Sequence, residues 1–350
     1  MTTKLTRLLL ASLLLSGCAK QKIVNNQTQK NLAAKTGAND AKTPAVVTYL
    51  TGDAADVSTS ATGGLLLMGG GTDVDAAIAW FLQRAGGGDV VVIRASGADG
   101  YNTYMYNMVG VNSVETILID SRAKADLTSV TDKIRNAEAL FIAGGNQWDY
   151  VNYWKNSATE SAINYLLNSK KVTVGGTSAG LAVLGNIYYS AQTGSATSAQ
   201  ALANPYHRYI TLGQNDFIAA PNMSNVITDS HYSQRDRQGR HISFMARAMQ
   251  DYGYTSIKGI GIDEQTAVCI DQNGIGKVYG VNTAYFLQNS ALGPETCVSG
   301  TALTWNRGGQ AISAYKITGN ATGNGSFNAA SWAFTGGSAY YYYVNNGVLF

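Results

Sequence analysis

KKVTVGGTSAGLAVLG, residues 170–185, is an apolar run, a glycine pair, the segment Thr177-Ser178-Ala179-Gly180 and a second apolar run. A β-branched run followed by small residues and then helix formers reads as a strand turning sharply into a helix. Gly176-x-Ser178-x-Gly180 is the spacing of a nucleophile elbow, in which small neighbours let the chain push a serine Oγ out over the end of a sheet. A Gly-rich turn with Ser178 as a helix N-cap fits the same letters. The stretch alone leaves both readings open.

Working outward, short apolar runs alternate with helical patterns. LLLMGGG (65–71), DVVVIRASG (89–97), VETILID (114–120) and ALFIAGG (139–145) are each followed by a segment of helical period. Continuously apolar strands separated by helices imply a mostly parallel sheet buried on both faces, a doubly wound α/β fold with its site at the carboxyl ends of the strands. MGGGTDVDAA lacks the third glycine of a dinucleotide fingerprint, because Val74 stands in its place. It reads as a tight turn with Thr72 or Asp73 capping the next helix. TAVCIDQNGIGKVYG reads as a hairpin, and residues 299–350 as a β-rich C-terminal extension.

The chain has 350 residues, 45% apolar and 13% charged, with a formal charge of +3. Seven of its 25 basic and one of its 22 acidic residues lie in residues 1–45, so the body is slightly acidic and nucleic acid is not implied. Lys4, Arg7 and the apolar run from Leu8 to Leu15 form a signal peptide too short to span a bilayer. LLSGC resembles a bacterial lipobox with Cys18 as the lipidated residue. The expectation is export, with a lipid anchor after residues 1–18 (periplasmic, on the outer surface or released), a flexible linker over 19–45 and a catalytic domain over 46–298. Cys269 and Cys297 form either a disulfide or two buried thiols. The scattered His and Cys lack metal-ligand spacing, and no cofactor is implied.

A serine nucleophile needs a base, and the chain has three histidines. His207 and His241 are accounted for by capping or packing. His231, in NVITDSHYSQRDRQGR, follows an apolar run and so stands at a strand end, where a partner for Ser178 belongs. Asp263 and Glu264 follow another short apolar run, and either is placed to orient the imidazole. The order Ser, His, acid differs from that of the α/β-hydrolases. Arg235, Arg237 and Arg240 crowd three guanidinium groups into six residues, which suits fixing carboxylates.

GGNQ (144–147), GGTSAG (175–180), DSHYSQRDRQGR (229–240) and GIGIDE (259–264) together resemble the cyanophycinase branch of the S51 serine peptidases, relatives of peptidase E. The resemblance covers about residues 60–290. It implies a fold similar to class I glutamine amidotransferases, a homodimer, and a triad of Ser178, His231 and Glu264. It further implies an oxyanion hole from the amides of Gly145 and Ala179, and a substrate pocket lined by Gln147, Asp229, Ser230, Arg235, Arg237 and Arg240. Cyanophycinases release β-Asp-Arg dipeptides from a poly-aspartate backbone carrying arginine on each side-chain carboxylate, and Asp229 is a candidate to meet that arginine.

Three positions depart from the family pattern. Ser230 stands where Gln is usual, Asp236 where Gly is usual and Gln238 where Leu is usual. The triad is untouched, so these changes bear on the substrate. The sequence therefore supports an exported serine exopeptidase for cyanophycin. A peptidase E-like aspartyl or isoaspartyl dipeptidase, or a non-catalytic peptide-binding lipoprotein, stands as the alternative.

Overall fold

The computed structural model describes residues 44–290 and 292–350. The expected signal peptide, the Cys18 lipidation site and nearly all of the linker lie outside them. In chain order come β1 (Val47–Gly52), β2 (Gly64–Met68), α1 (Asp75–Gln83), β3 (Asp89–Arg94), α2 (Asn102–Val109), β4 (Ser113–Leu118), α3 (Arg122–Ala125), α4 (Thr128–Asn136), β5 (Ala139–Ile142), α5 (Gln147–Trp154), α6 (Ala158–Tyr165), β6 (Thr173–Thr177) and α7 (Ala179–Ala182). Strands β4, β3, β5, β6 and β2 pair side by side in parallel, as continuously apolar runs joined by helices require. Both faces are dry. Leu65, Leu67, Val91, Ile93, Leu140 and Ile142 enter one core cluster, whereas the alternate residues Leu66, Met68, Val90, Val92 and Phe141 enter another. Each such side chain contributes about 1.5–3 kcal/mol by leaving water.

The second half runs β7 (Ile187–Tyr189), α8 (Ser198–Ala203), β8 (Leu212–Gln214), β9 (Val226–Asp229), α9 (Gln238–Tyr252), β10 (Lys258–Ile262), β11 (Thr266–Asp271), β12 (Ile275–Gly280), β13 (Thr283–Asn289), β14 (Ile312–Thr318), β15 (Asn324–Asn328), β16 (Ala333–Thr335) and β17 (Ser338–Tyr342). Strands β11 and β12 form the expected hairpin, and β11 pairs antiparallel with β2. Among the described residues, ten strands make the first sheet, in the order β1-β4-β3-β5-β6-β2-β11-β12-β15-β16. A second sheet, not foreseen from the sequence, runs β17-β14-β13-β10-β9-β7-β8.

The C-terminal stretch is β-rich, as expected, and its strands join both sheets. β14 and β17 extend β13, while β15 and β16 extend β12. Phe286 of β13 packs on Phe327 and Phe334 from this stretch, with ring centroids 4.7 and 5.2 Å away.

Of the two readings left open for the cysteines the structure shows the buried thiols, and the expected capping of α1 is corrected. Cys269 and Cys297 are both free and buried, not bridged. They sit in different cores, Cys269 beside Leu66 and Met68 and Cys297 beside Leu303 and Trp305. Neither Thr72 nor Asp73 caps α1, whose N-cap position is Val74 with no side-chain bond. Asp73 instead accepts the Tyr101 hydroxyl at 3.3 Å.

Candidate active site

Ser178 leaves the end of β6, and its amide donates to Met68 O at 3.0 Å. Its backbone has φ 52° and ψ −111°. Such a conformation costs a residue with a side chain about 1–3 kcal/mol, and persists only where the surroundings fix it. They do so here. A Cβ on Gly180 would stand 2.0 Å from Ile142 O, so only glycine lets α7 press against the end of β5.

Parallel register places the partners. Asp229 pairs with Gly261 across β9 and β10, and the chain reaches His231 two residues beyond the first and Glu264 three beyond the second. Ser178 Oγ lies 2.7 Å from His231 Nε2, and His231 Nδ1 lies 2.6 Å from Glu264 Oε1. The carboxylate only accepts, so Nδ1–H donates to it and Nε2 faces the serine hydroxyl as an acceptor. Burial lowers the His231 pKa below its ordinary value. The Glu264 hydrogen bond opposes that shift, and the cations Arg235 and Arg237 add to it.

The sequence reading missed the support under this pair. His231 N donates to Gly69 O at 2.8 Å, and Gln265 N to Gly70 O at 2.9 Å. Gly70, at φ +93°, lies so close to the imidazole that a Cβ would stand 2.4 Å from Cε1. The Gly69–Gly71 run is the floor of the dyad; three glycines at a strand end were the signal. Asp263 also contributes, accepting Ser233 N at 2.8 Å, and Gln234 Oε1 accepts Glu264 N at 2.9 Å. The loop carrying His231 is thereby tied to the turn carrying Glu264.

A cleft of about 430 Å³ opens beside the serine. Ser178, Gly145, Gln147, Ser230 and all three arginines line it, together with Trp148 and Gln192, which the sequence did not single out. Gln147 Nε2 is spent on Tyr189 O at 2.7 Å. Arg235 is exposed, with Nη2 3.8 Å from Glu264 Oε1. Arg237 Nη1 donates to Ser230 O at 2.8 Å, and burial draws its pKa down to about 10, so it stays charged at neutral pH. Ala179, fully inside the turn, begins α7 directly after the serine, and its amide has no acceptor within so short a helix.

Asp229 is not available to a substrate. Arg240 grips it with two bonds, Nε to Oδ2 at 2.7 Å and Nη2 to Oδ1 at 2.6 Å, and both residues are about 3% exposed or less. Arg240 Nη1 is spent on Ser195 Oγ and Ala196 O at 3.0 and 3.2 Å. Arg240 and Arg237 hold the Asp229 carboxylate ionised well into acid against its burial. Arg240 lines the cleft and Asp229 lies behind it, so the pair braces the cleft wall. His241, as expected, is a packed residue between Tyr232 Oη and Ile227 O, with its pKa pushed down to about 4 by burial. Among the described residues no cluster of His, Cys, Asp and Glu is arranged to hold a metal.

The model of Peptidase family S51 matches residues 65–278. A cyanophycinase from Synechococcus elongatus is 27% identical over 207 residues, covering 57% of this chain and 59% of that protein. A cyanophycinase from Geminocystis herdmanii is 22% identical over 219 residues, covering 61% and 74%. The match thus spans about three fifths of the length of the first relative. A crystal structure of a peptidase from an acI-B1 Actinobacterium superposes with a TM-score of 0.47 and 14% identity, over 69% of this chain and 98% of that one. With the family model matching well over half of the chain, this protein belongs to peptidase family S51.

Proposed function

We propose that the protein is a serine peptidase that cleaves cyanophycin-type aspartyl peptides and releases β-Asp-Arg dipeptides. The observation that carries this reading is the relay from Ser178 Oγ through His231 to Glu264, at 2.7 and 2.6 Å, on a strained serine. His231 Nε2 takes the hydroxyl proton as Oγ bonds to the scissile carbonyl carbon. The oxyanion is received by the amides of Ala179 and Gly145. The C–N bond breaks with the proton passing from His231 to the leaving amine, and water, deprotonated by the same histidine, cleaves the acyl-enzyme. Glu264 holds the ring in its tautomer and balances the imidazolium.

Arg235 and Arg237, facing the cleft, support a substrate rich in carboxylates. The cyanophycinase relatives support the polymer itself. We further propose that the chain is exported, held to a membrane by lipid on Cys18, and works as a homodimer like the family it resembles. The test is to incubate the protein and its Ser178→Ala variant with cyanophycin and to identify products by mass spectrometry. Asp-Arg dipeptides from the parent alone support the reading. Hydrolysis of α-Asp dipeptides with the polymer left intact would replace it with a peptidase E-like specificity.

A further inference from the structure

The cleft beside Ser178 holds cations and no acidic side chain. A substrate carrying arginine therefore lacks a counter-charge there, because Asp229 is taken by Arg240. Of the other acids at this end of the sheet, Glu264, Asp73, Asp75 and Asp149 line neither the cleft nor the space next to it. Glu264 holds His231, Asp73 and Asp75 accept from Tyr101 and Tyr104, and Asp149 accepts from Asn146. Asp236 is exposed and lines no part of the cleft.

A second chamber of about 370 Å³ adjoins the cleft, and Trp148 and Gln192 line both. Its polar wall carries Asp216, Lys155 and Arg122. Asp216 Oδ1 accepts the Tyr188 hydroxyl at 2.9 Å, and its Oδ2 accepts from Lys155 Nζ, which also reaches Tyr188 Oη at 3.2 Å. The Asp216 side chain is 45% exposed, so the Lys155 pair is open to exchange. Arg122 is exposed and gives Nη2 to Asn152 O at 3.3 Å, leaving the rest of its fork to solvent.

We propose that this chamber is a second subsite that receives the arginine unit of the substrate, with Asp216 as the partner of its guanidinium. The proposal rests on the aspartyl-arginine reading above. An arginine joined through its α-amino group keeps a free α-carboxylate beside its guanidinium, and the chamber offers the matching pair of charges. The planar guanidinium displaces the Lys155 ammonium from Asp216 because it bonds a carboxylate with two parallel N–H groups. Lys155 and Arg122 then meet the α-carboxylate. Trp148, at the opening between the two spaces, supplies an aromatic surface over which the arginine stem passes.

The test compares the full chain on β-aspartyl-arginine oligomers and on matched oligomers with citrulline, which keeps the carboxylate and replaces the guanidinium by neutral urea. The parent is expected to favour arginine by about tenfold in KM, as one charge-assisted pair provides. Asp216→Asn is expected to abolish that preference, with the loss falling in KM for the arginine oligomer. Lys155→Gln, which removes the competing cation, is expected to strengthen it. An arginine preference unchanged in Asp216→Asn overturns the subsite. If the parent cleaves neither oligomer, the proposed reaction fails separately. The arginine-to-citrulline ratio of Kd, measured by calorimetry on Ser178→Ala with and without Asp216→Asn, still decides the chamber.

Discussion

Gly70 and His231 touch so closely that the structure leaves no room for a methyl group between them. A Cβ on Gly70 would stand 2.4 Å from the imidazole Cε1 and 2.5 Å from Nε2, the atom that faces Ser178. Gly70→Ala must therefore move the base, and at φ +93° it also strains the backbone, at a cost of about 1–3 kcal/mol. We expect kcat/KM to fall about 100-fold, the scale of a misplacement near 1 Å, together with a lower Tm. Ser178→Ala is the control, losing activity with Tm kept. Full activity in Gly70→Ala would show that the imidazole has slack the geometry does not reveal.

The pH profile follows from the surroundings of His231. The ring acts as a base only when neutral, and burial, with Arg235 and Arg237 beside it, lowers its pKa from 6.5. Activity should therefore rise with pH through a midpoint below 6.5 and be flat at neutral pH. Removing a neighbouring positive charge relieves the protonated form, so Arg235→Gln should move the acid limb of kcat/KM to higher pH. Arg235 is exposed, and added salt should shrink the shift. An acid limb moving to lower pH in that variant would contradict the charge argument.

The parts of this site that were legible in the sequence are those set along the chain. Strand ends mark where side chains face the sheet edge, so the G-x-S-x-G spacing, the apolar runs and the scarcity of histidine point to Ser178, His231 and the pair Asp263 and Glu264, and the choice of Glu264 within that pair rests on the family resemblance. The parts that were not legible are contacts across the fold. Asp229 and Arg240 are joined by the packing of α9 over the second sheet, and nothing in DSHYSQRDRQGR tells a ligand-facing aspartate from one gripped by the next helix. The glycines at 69–71 looked like a plain turn because the imidazole above them comes from 160 residues further on. The C-terminal strands looked like an appendage because their partners lie earlier in the chain: a long connection separates β13 from β14, and β15 reaches β12 past both of those strands.

The Asp229–Arg240 pair makes a prediction that separates bracing from substrate contact. Asp229→Asn leaves Arg240 buried without its counter-charge, and breaking such a pair costs about 3–5 kcal/mol. The folded pKa of Asp229 lies below its ordinary 3.8, so its contribution is complete above that value and is lost as pH falls through the lower folded one. The gap in denaturation midpoint between parent and variant should be full at neutral pH and close only below 3.8. A variant of unchanged stability with a raised KM for arginine substrates would return Asp229 to the pocket.

The cysteines give the last test. Cys269 and Cys297 lie in separate cores, and burial raises both thiols, Cys269 far above its ordinary range and Cys297 to about 12. A thiol held protonated and out of solvent does not react with a disulfide reagent. In a Cys18→Ser background the native protein should show no reactive thiol, and the denatured protein should show both without prior reduction. Tm should be the same with and without reductant, because no covalent loop exists to open. Thiols that appear on denaturation only after reduction would mean that the two cores approach closely enough to bridge.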